Sequence, residues 1–296
     1  MSKVLNFGSL NYDYVYRVES FLKAGETKDS LDLHTFLGGK GLNQSIALSR
    51  AGVQVYHAGF VGEDGKEILD FLNMNKVDTS YIHTVEGQSG HTMIQVDAKG
   101  ENCILLYGGA NQKNTKQYVD EVLDNFGNGD YLVLQNEVNC LEYIIDKAYE
   151  KEMFIILNPS PYNYKLEKCN LEKVSLLFIN EIEGKQLTGE EEICNILEAI
   201  QEKYAELKIV LTLGENGVVY CEQEKQWKQP AVAVEVVDTT AAGDTFTGYF
   251  ISGLIKGLSI EENLRISTKA STLAIGKNGA STSIPFRDEI QSTKSA

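Results

Sequence analysis

The sequence predicts an α/β fold in which helices cover both faces of a mainly parallel sheet. Apolar runs of strand length, such as 176–179, alternate with stretches of helical period along most of the 296 residues. Four prolines, with no Pro-rich linker and no internal repeat, favour a single domain over 1–296. Every apolar run is far shorter than the ~18–20 residues of a membrane helix.

The apolar patterns along the chain predict the individual strands and helices. Continuous apolar runs predict buried strands, and apolar residues three and four positions apart predict helices. The predicted strands are 4–10, 53–60, 131–134, 154–157, 176–179 and 209–212, with a β-type run over 232–237. The predicted helices are 42–51, 65–74, 141–150, 193–204, 243–256 and 260–275.

Two regions interrupt the alternation of strands and helices. Residues 13–37 and about 81–107 are strand-like and poor in helix formers. They predict either a small antiparallel sheet inserted into the α/β unit as a lid, or edge strands of the main sheet. The pattern alone leaves both open.

Charge and cysteine usage exclude several classes of protein. The chain has 27 basic and 42 acidic residues, a net charge of −15, and no basic patch, so nucleic acid and anionic membranes are not expected partners. The five cysteines are widely spaced, which disfavours a disulfide framework and a zinc site. With no secretory leader visible at the N-terminus, a cytoplasmic protein is expected.

The strongest local motif is Asp238-Thr239-Thr240-Ala241-Ala242-Gly243-Asp244, which leads into a predicted helix. Small residues let a ligand approach the backbone, and the unpaired first-turn N–H groups with the helix dipole make an anion pocket. Asp244 beside that pocket suits a general base that faces a phosphoryl group. The plainer interpretation is an acidic residue that the helix dipole favours.

The second motif is a glycine-rich stretch, Gly38-Gly39-Lys40-Gly41-Leu42-Asn43-Gln44. It is neither a Walker A loop nor the dinucleotide fingerprint, because Gln44 stands where the third glycine belongs. Its glycines expose backbone, and Lys40 and Asn43 offer hydrogen-bond donors to hydroxyl groups. A simple glycine-rich helix start is the alternative.

The third motif, Asn180-Glu181-Ile182-Glu183, follows the predicted strand 176–179. Asn180 and Glu183 share one helix face and could hold a hydrated Mg²⁺. The same spacing is typical of a capping box, which the spacing alone favours.

Taken together in their order along the chain, the three motifs resemble the ribokinase family of carbohydrate kinases (the PfkB group), and the resemblance runs nearly end to end. The segments opening with Gly8-Ser9-Leu10-Asn11-Tyr12-Asp13 and closing with Gly279-Ala280-Ser281-Thr282-Ser283 are also similar to the family. The resemblance implies a ribokinase-like fold with a β-sheet lid that also forms a homodimer contact. It implies transfer of the γ-phosphoryl group of ATP to the hydroxymethyl oxygen of a sugar, with D-ribose to ribose 5-phosphate as the leading reaction.

The resemblance also implies roles for individual positions. Asp244 would be the base, and the N–H groups of Ala241, Ala242 and Gly243 would form the anion hole. The positions that match the sugar site are Asn11, Asp13, Gly39, Lys40, Gly41, Asn43, Glu137 and Asp244. Those that match the ATP site are Asn180, Thr212, Leu213, Gly214, Glu215, Asn216, Gly217, Gly243 and Thr268. Asn180 and Glu183 would organise Mg²⁺, and the K⁺ positions are Asp238, Thr240, Ala274, Lys277, Gly279 and Ser283.

Three positions depart from the family pattern. Tyr12 and Leu42 are bulkier than usual, and Asn136 replaces an aliphatic residue before Glu137. We expect such bulk near the sugar to affect which substituents are accepted. A kinase for another sugar or a nucleoside is one alternative function. A non-catalytic sugar-binding regulator on the same fold is another.

Overall fold

The structure is a computed structural model that describes residues 2–292, so the ends of the expected domain, Met1 and 293–296, lie outside the described residues. The strands are β1 (Val4–Phe7), β2 (Asn11–Arg17), β3 (Asp32–Gly38), β4 (Val55–Val61), β5 (Asp78–Thr84), β6 (Gly90–Val96), β7 (Asn102–Tyr107), β8 (Tyr131–Gln135), β9 (Phe154–Asn158), β10 (Leu176–Asn180), β11 (Lys208–Thr212), β12 (Val218–Glu222) and β13 (Lys225–Gln229). The helices are α1 (Lys40–Arg50), α2 (Lys66–Met74), α3 (Lys116–Leu123), α4 (Leu141–Glu150), α5 (Glu181–Thr188), α6 (Ile193–Lys203), α7 (Ala242–Ile255), α8 (Ile260–Ile275) and α9 (Arg287–Ser292).

Nine strands form the main sheet in the order β13-β12-β11-β10-β9-β8-β1-β4-β5. The pairs from β11 to β5 are parallel, and the two pairs at the other edge, β11–β12 and β12–β13, are antiparallel. Crossover helices cover the faces of such a sheet because parallel neighbours cannot be joined by a tight turn. The predicted α/β class is confirmed.

Alternate residues of each central strand pack into two hydrophobic cores, one on each face of the sheet. In β8, Leu132 and Leu134 pack in the core that includes Ile144 of α4. Val133 packs on the other face, in the core that includes Phe250 of α7. This burial on both faces explains why the strands are continuously apolar.

A second sheet, the lid sheet, has the order β3-β2-β6-β7. Its outer pairs are antiparallel, but the central pair β2–β6 is parallel, so the expected purely antiparallel lid is wrong in this respect. The interval 81–107 also divides, because residues 81–84 belong to β5 at the edge of the main sheet. Both interpretations of these regions are therefore right in part.

The β-type run over 232–237 forms no strand. Val232, Val234, Val236 and Val237 are exposed by 49%, 40%, 57% and 49%, respectively. The run is apolar because it lines a cavity, described below, and not because it is paired in a sheet. Among residues 2–292, no helix has the length and hydropathy needed to cross a bilayer.

Candidate active site

The carboxyl ends of four parallel strands meet at one edge of the main sheet. β1 leads to Ser9, β8 leads to Glu137, and β10 and β11 end at Asn180 and Thr212, which are register partners. In open α/β sheets this edge is where ligands bind. The N-termini of α1 and α7 reach the same edge.

Asp244 lies in the first turn of α7 and is only 6% exposed. Its Oδ2 accepts a hydrogen bond from Nδ2 of Asn43 at 3.0 Å, and its Oδ1 accepts one from Nε2 of Gln44 at 2.9 Å. Two amide donors from α1 therefore fix the carboxylate. The sequence pointed to Asn43 but not to Gln44, which is fully buried.

Gln44 is itself held by a buried polar network. Its Oε1 accepts a hydrogen bond from Nε2 of Gln135 at 2.7 Å, and Gln135 also donates to Oδ1 of Asn6 at 3.0 Å. Nδ2 of Asn6 in turn donates to the carbonyl of Gly41 at 2.7 Å. Buried polar side chains persist in a core when they are hydrogen-bonded, and such a network fixes their orientation.

The start of α7 presents unpaired amides. Ala241, the residue before the helix, has a left-handed backbone with φ 61°, which a residue with a side chain adopts only when its surroundings enforce it. Within the described chain, the amides of Ala241, Gly243 and Asp244 have no hydrogen-bond partner. The expected anion hole needs one correction, because the Ala242 amide donates to the Thr239 carbonyl at 3.2 Å.

The sugar-site candidates surround this edge. Asn11 is buried and accepts a hydrogen bond from Nδ2 of Asn111 at 2.7 Å. Asp13 is bonded by the Thr92 hydroxyl, and burial raises the pKa of Asp13 to about 6 in spite of that bond. Glu137 accepts hydrogen bonds from the Ser9 hydroxyl and, at 3.0 Å, from the backbone amide of Lys40.

Lys40 and the acidic residues form one electrostatic group. Burial alone would lower the pKa of Lys40, but the carboxylates of Asp244, Glu137 and Glu183 outweigh burial and raise it. Burial also raises the pKa of Glu137, against the opposing charge of Lys40. Lys40 of the second motif is therefore close enough to Asp244, Glu137 and Glu183 for their charges to act on it.

Two neighbouring glycines are required by geometry. Gly39 has φ +90°, a conformation that favours glycine, and it precedes α1. A Cβ on Gly38 would lie 1.8 Å from Oδ2 of Asp13. The glycine-rich stretch therefore lets the lid sheet and α1 approach the candidate sugar site closely.

The three departures from the family pattern do not crowd this site. Tyr12 and Leu42 both pack in a hydrophobic core, and the Tyr12 hydroxyl donates to the Asp64 carbonyl at 2.7 Å. Nδ2 of Asn136 donates to the Pro161 carbonyl at 2.7 Å. The expectation that their bulk affects the sugar site is not supported, because these side chains contact other parts of the protein.

A cavity of about 710 Å³ lies beside the start of α7. Six of the nine positions matched to the ATP site line it: Thr212, Gly214, Glu215, Gly217, Gly243 and Thr268. Leu213 and Asn216 instead line a separate cavity next to β12, and Asn180 lines neither. The valine run forms an apolar wall, and Oγ1 of Thr268 is buried without a hydrogen-bond partner among the described residues. An apolar wall next to free amides fits an aromatic base with an attached phosphate chain.

Asn180 and Glu183 form a capping box at the start of α5. The Asn180 side chain accepts a bond from the Glu183 amide at 2.8 Å, and the Glu183 carboxylate accepts one from the Asn180 amide at 3.0 Å. Residues 2–292 contain no group of three or more His, Cys, Asp or Glu side chains that could hold a metal ion. These two residues fit a magnesium ion only through its water ligands.

The two segments of the expected K⁺ site are in contact. Oδ2 of Asp238 accepts a hydrogen bond from the Gly279 amide at 3.1 Å, and Oδ1 accepts one from the Thr240 amide at 2.9 Å. The Ala274 carbonyl already accepts a bond from the Lys277 amide at 3.1 Å. The Lys277 side chain pairs with Glu289. A carboxylate beside backbone carbonyls fits a hard cation, but the ammonium group of Lys277 takes no part.

Comparison with known proteins assigns this arrangement to a family. The sequence profile of the pfkB family carbohydrate kinases matches residues 1–287. The chain belongs to the pfkB family.

Relatives of this pfkB-family chain include a ribokinase of Bacillus subtilis, 34% identical over 98% of the chain and 99% of the relative. Among solved structures, an Arabidopsis thaliana ribokinase complexed with ribose and ATP has a TM-score of 0.86 and 30% identity, covering 98% of both chains. A ribokinase of Cryptococcus neoformans in complex with ADP has a TM-score of 0.84 and 29% identity, covering 98% of this chain and 99% of that one. The ribokinase-like fold is thereby confirmed.

Proposed function

We propose that this pfkB-family chain is a ribokinase that transfers the γ-phosphoryl group of ATP to the hydroxymethyl oxygen of D-ribose. The observation that carries the proposal is the position of Asp244. Its carboxylate is fixed by α1, which begins at the candidate sugar site, and its own helix begins at the wall of the 710 Å³ cavity. The full-length likeness to proteins named ribokinase supports ribose as the acceptor.

The chain's own groups account for the reaction as follows. Asp244 accepts the proton of the hydroxymethyl group while that oxygen forms a bond to the γ-phosphorus. The bond between the γ-phosphorus and the bridging oxygen of ADP breaks, and ADP leaves with that electron pair. The amides of Gly243 and Asp244 face the charge on the transferred group, and Lys40 adds a positive charge. Phosphoryl transfer needs mainly positioning and charge stabilisation, which these groups supply.

Substitution of Asp244 by Asn tests this assignment, because it keeps the size of the side chain and removes the base. A positioned general base contributes ~10²–10⁴ in rate, so kcat should fall by at least about 10². Ribose affinity, measured by calorimetry, should change far less because the other hydroxyl contacts remain. A variant that keeps more than about a tenth of the parent kcat would reduce Asp244 to a residue that the helix dipole favours.

A non-catalytic sugar-binding regulator is the competing class of function. Sugar binding alone requires no carboxylate at the start of α7 beside unpaired amides. If the protein bound ribose but neither hydrolysed ATP nor transferred phosphate to any sugar or nucleoside, that class of function would be favoured.

For the metal ions, we propose that Mg²⁺ reaches Asn180 and Glu183 through water. When bound, it would offset the negative charge of the phosphates. The negative charge of Glu183 already acts on Lys40, which is consistent with a shared site.

We also propose that K⁺ binds between the segments that contain Asp238 and Gly279. The contact between them fixes the path of the chain into Ala241, so a cation there would hold the amides of α7 in place. Since misplacing such groups by an ångström can cost on the order of 10²-fold, KCl should raise kcat where NaCl or choline chloride at equal ionic strength does not. Equal rates in all three salts would remove K⁺ from the proposal.

The lid sheet, we propose, forms a homodimer contact. Its edge strand β7 is exposed throughout, and Ile104, Leu105, Leu106 and Tyr107 are exposed by 56%, 68%, 39% and 53%. An exposed apolar edge strand is typical of a surface that pairs with another chain. Light scattering should give a dimer mass for the parent and a monomer mass for Leu105→Lys; a monomeric parent would contradict the proposal.

A further inference from the structure

A second large cavity lies at the opposite end of α7 from Asp244. Its volume is about 790 Å³, and it is enclosed by the C-terminal end of α7, by α8 and by α9. Lys256, just after α7, is twelve residues from Asp244, or about 18 Å along a helix. The cavity is therefore separate from the candidate active site.

The charge of this cavity contrasts with that of the whole chain. Lys256, Arg265, Lys269 and Arg287 line it, and Glu262 is its only acidic lining residue among those described. The chain as a whole has a net charge of −15 and only four arginines, of which two are here. Such local concentration of positive charge in an acidic protein attracts anions.

Two of these cations converge on one point. A Cβ on Gly52 would lie 3.6 Å from Nζ of Lys256 and 3.8 Å from Nη1 of Arg287. Partial burial and the charge of Arg287 lower the pKa of Lys256. Arg287 has no hydrogen-bond or ion-pair partner within residues 2–292, so its donors are available to a ligand.

Two features of the cavity oppose an anion. Arg265 is paired with Glu262 at 2.7 Å, and Nζ of Lys256 donates to the Ala51 carbonyl near the C-terminus of α1. The C-termini of α1 and α7 each contribute about −0.5 charge. Arg265 and Glu262 offset one another, so Lys256 and Arg287 are the cations that this cavity offers to an anion.

Much of the remaining lining is apolar, with Ser252 and Gln291 as its polar side chains. Tyr249, Leu258, Ile266 and Ile290 contribute to it, and the volume is far larger than an inorganic phosphate needs. Cations around an apolar floor fit a ligand with an anionic group on an apolar or aromatic body.

We propose that this cavity binds an organic phosphate whose phosphate group contacts Lys256 and Arg287 and whose apolar part contacts the floor between α7, α8 and α9. The cavity takes no part in phosphoryl transfer. Its ligand is recognised by charge and by an aromatic or apolar surface together.

The test uses the full chain and 4-methylumbelliferyl phosphate, a fluorescent aromatic phosphate monoester. Calorimetry should show binding to the parent and binding weaker by about tenfold or more to R287Q, because a charge-assisted bond to the phosphate is lost. The matched control is R17Q, at an exposed arginine of β2, which should bind like the parent. 4-Methylumbelliferone, which lacks the phosphate, should bind at least about tenfold more weakly than the monoester.

Equal affinity of the parent and R287Q would overturn the proposal, as would absence of binding to the parent. Equal binding of the phosphate-free compound would also overturn it, since the cavity would then be a purely apolar site. Thermal unfolding and kinase kcat check that R287Q is folded. K256Q, at the other proposed phosphate contact, gives a second, independent variant that should bind the monoester more weakly.

Discussion

Replacing Gln44 by Leu tests how Asp244 is held. Gln44 is fully buried between Asp244 and Gln135, and leucine has a similar volume. The substitution removes the 2.9 Å bond to Oδ1 of Asp244 and the 2.7 Å bond from Gln135. Asp244 keeps only the bond from Asn43, so its carboxylate can rotate away from the sugar.

The size of the effect follows from these bonds. A hydrogen bond to a charged group contributes about 1.5–3 kcal/mol, and each ~1.4 kcal/mol in a barrier is tenfold in rate. We therefore expect kcat to fall about 10- to 100-fold. The KM for ATP should stay close to that of the parent, because Gln44 does not line the 710 Å³ cavity. The KM for ribose should also stay close to that of the parent, because Gln44 is not among the positions that match the sugar site.

Steady-state assays of ADP release, with thermal unfolding as a check on folding, measure this effect. The matched control is Gln201→Leu, which removes a 3.0 Å bond from a part-buried glutamine of α6 to the Leu207 carbonyl, away from the site. The control should lose stability without losing kcat. If folded Gln44→Leu retains the parent kcat, Asp244 is positioned without Gln44 and this reasoning is refuted.

Three further predictions concern the ligand sites. Gly243→Ala should fold at least as stably as the parent, since its Cβ meets no atom within 4 Å and alanine favours a helix. Its methyl group enters the cavity, however, and should raise the KM for ATP by about tenfold. Gly127→Ala is the control, and an unchanged KM for ATP in Gly243→Ala would contradict the prediction. Burial raises the pKa of Asp13 to about 6, and it is the ionised carboxylate that accepts hydrogen bonds from hydroxyl groups on both oxygens. The KM for ribose should therefore rise up to about tenfold from pH 7 to pH 5, as Asp13 becomes protonated, whereas a flat profile would exclude Asp13 from binding. Gly38→Ala should displace Asp13 and weaken ribose binding measured by calorimetry, and parent-like affinity would show that the chain relaxes there.

Much of the fold could be predicted because its strands are buried on both faces and so are continuously apolar. The predicted helices 141–150 and 260–275 agree with α4 and α8. The β12–β13 hairpin was missed because its outer strand, β13, is largely exposed and polar. The run 232–237 was misassigned because an apolar cavity wall has the same composition as a strand.

The candidate site was predictable where glycines and charged residues break the apolar pattern. Gln44 was missed because its role depends on α7, 200 residues later in the chain. Its one signal was a polar side chain inside an otherwise apolar helix face. The Ala242 amide was misassigned because its bond to Thr239 depends on the left-handed turn at Ala241, which no side-chain pattern encodes.

Phosphorylation of ribose by this chain is tested most directly by comparing acceptors. ADP release should be measured with ribose, deoxyribose, fructose, other hexoses and nucleosides as acceptors, with the product identified by phosphorus NMR. We expect the highest kcat/KM for ribose and a phosphate on its hydroxymethyl oxygen. A much higher kcat/KM for a nucleoside or a hexose would contradict it.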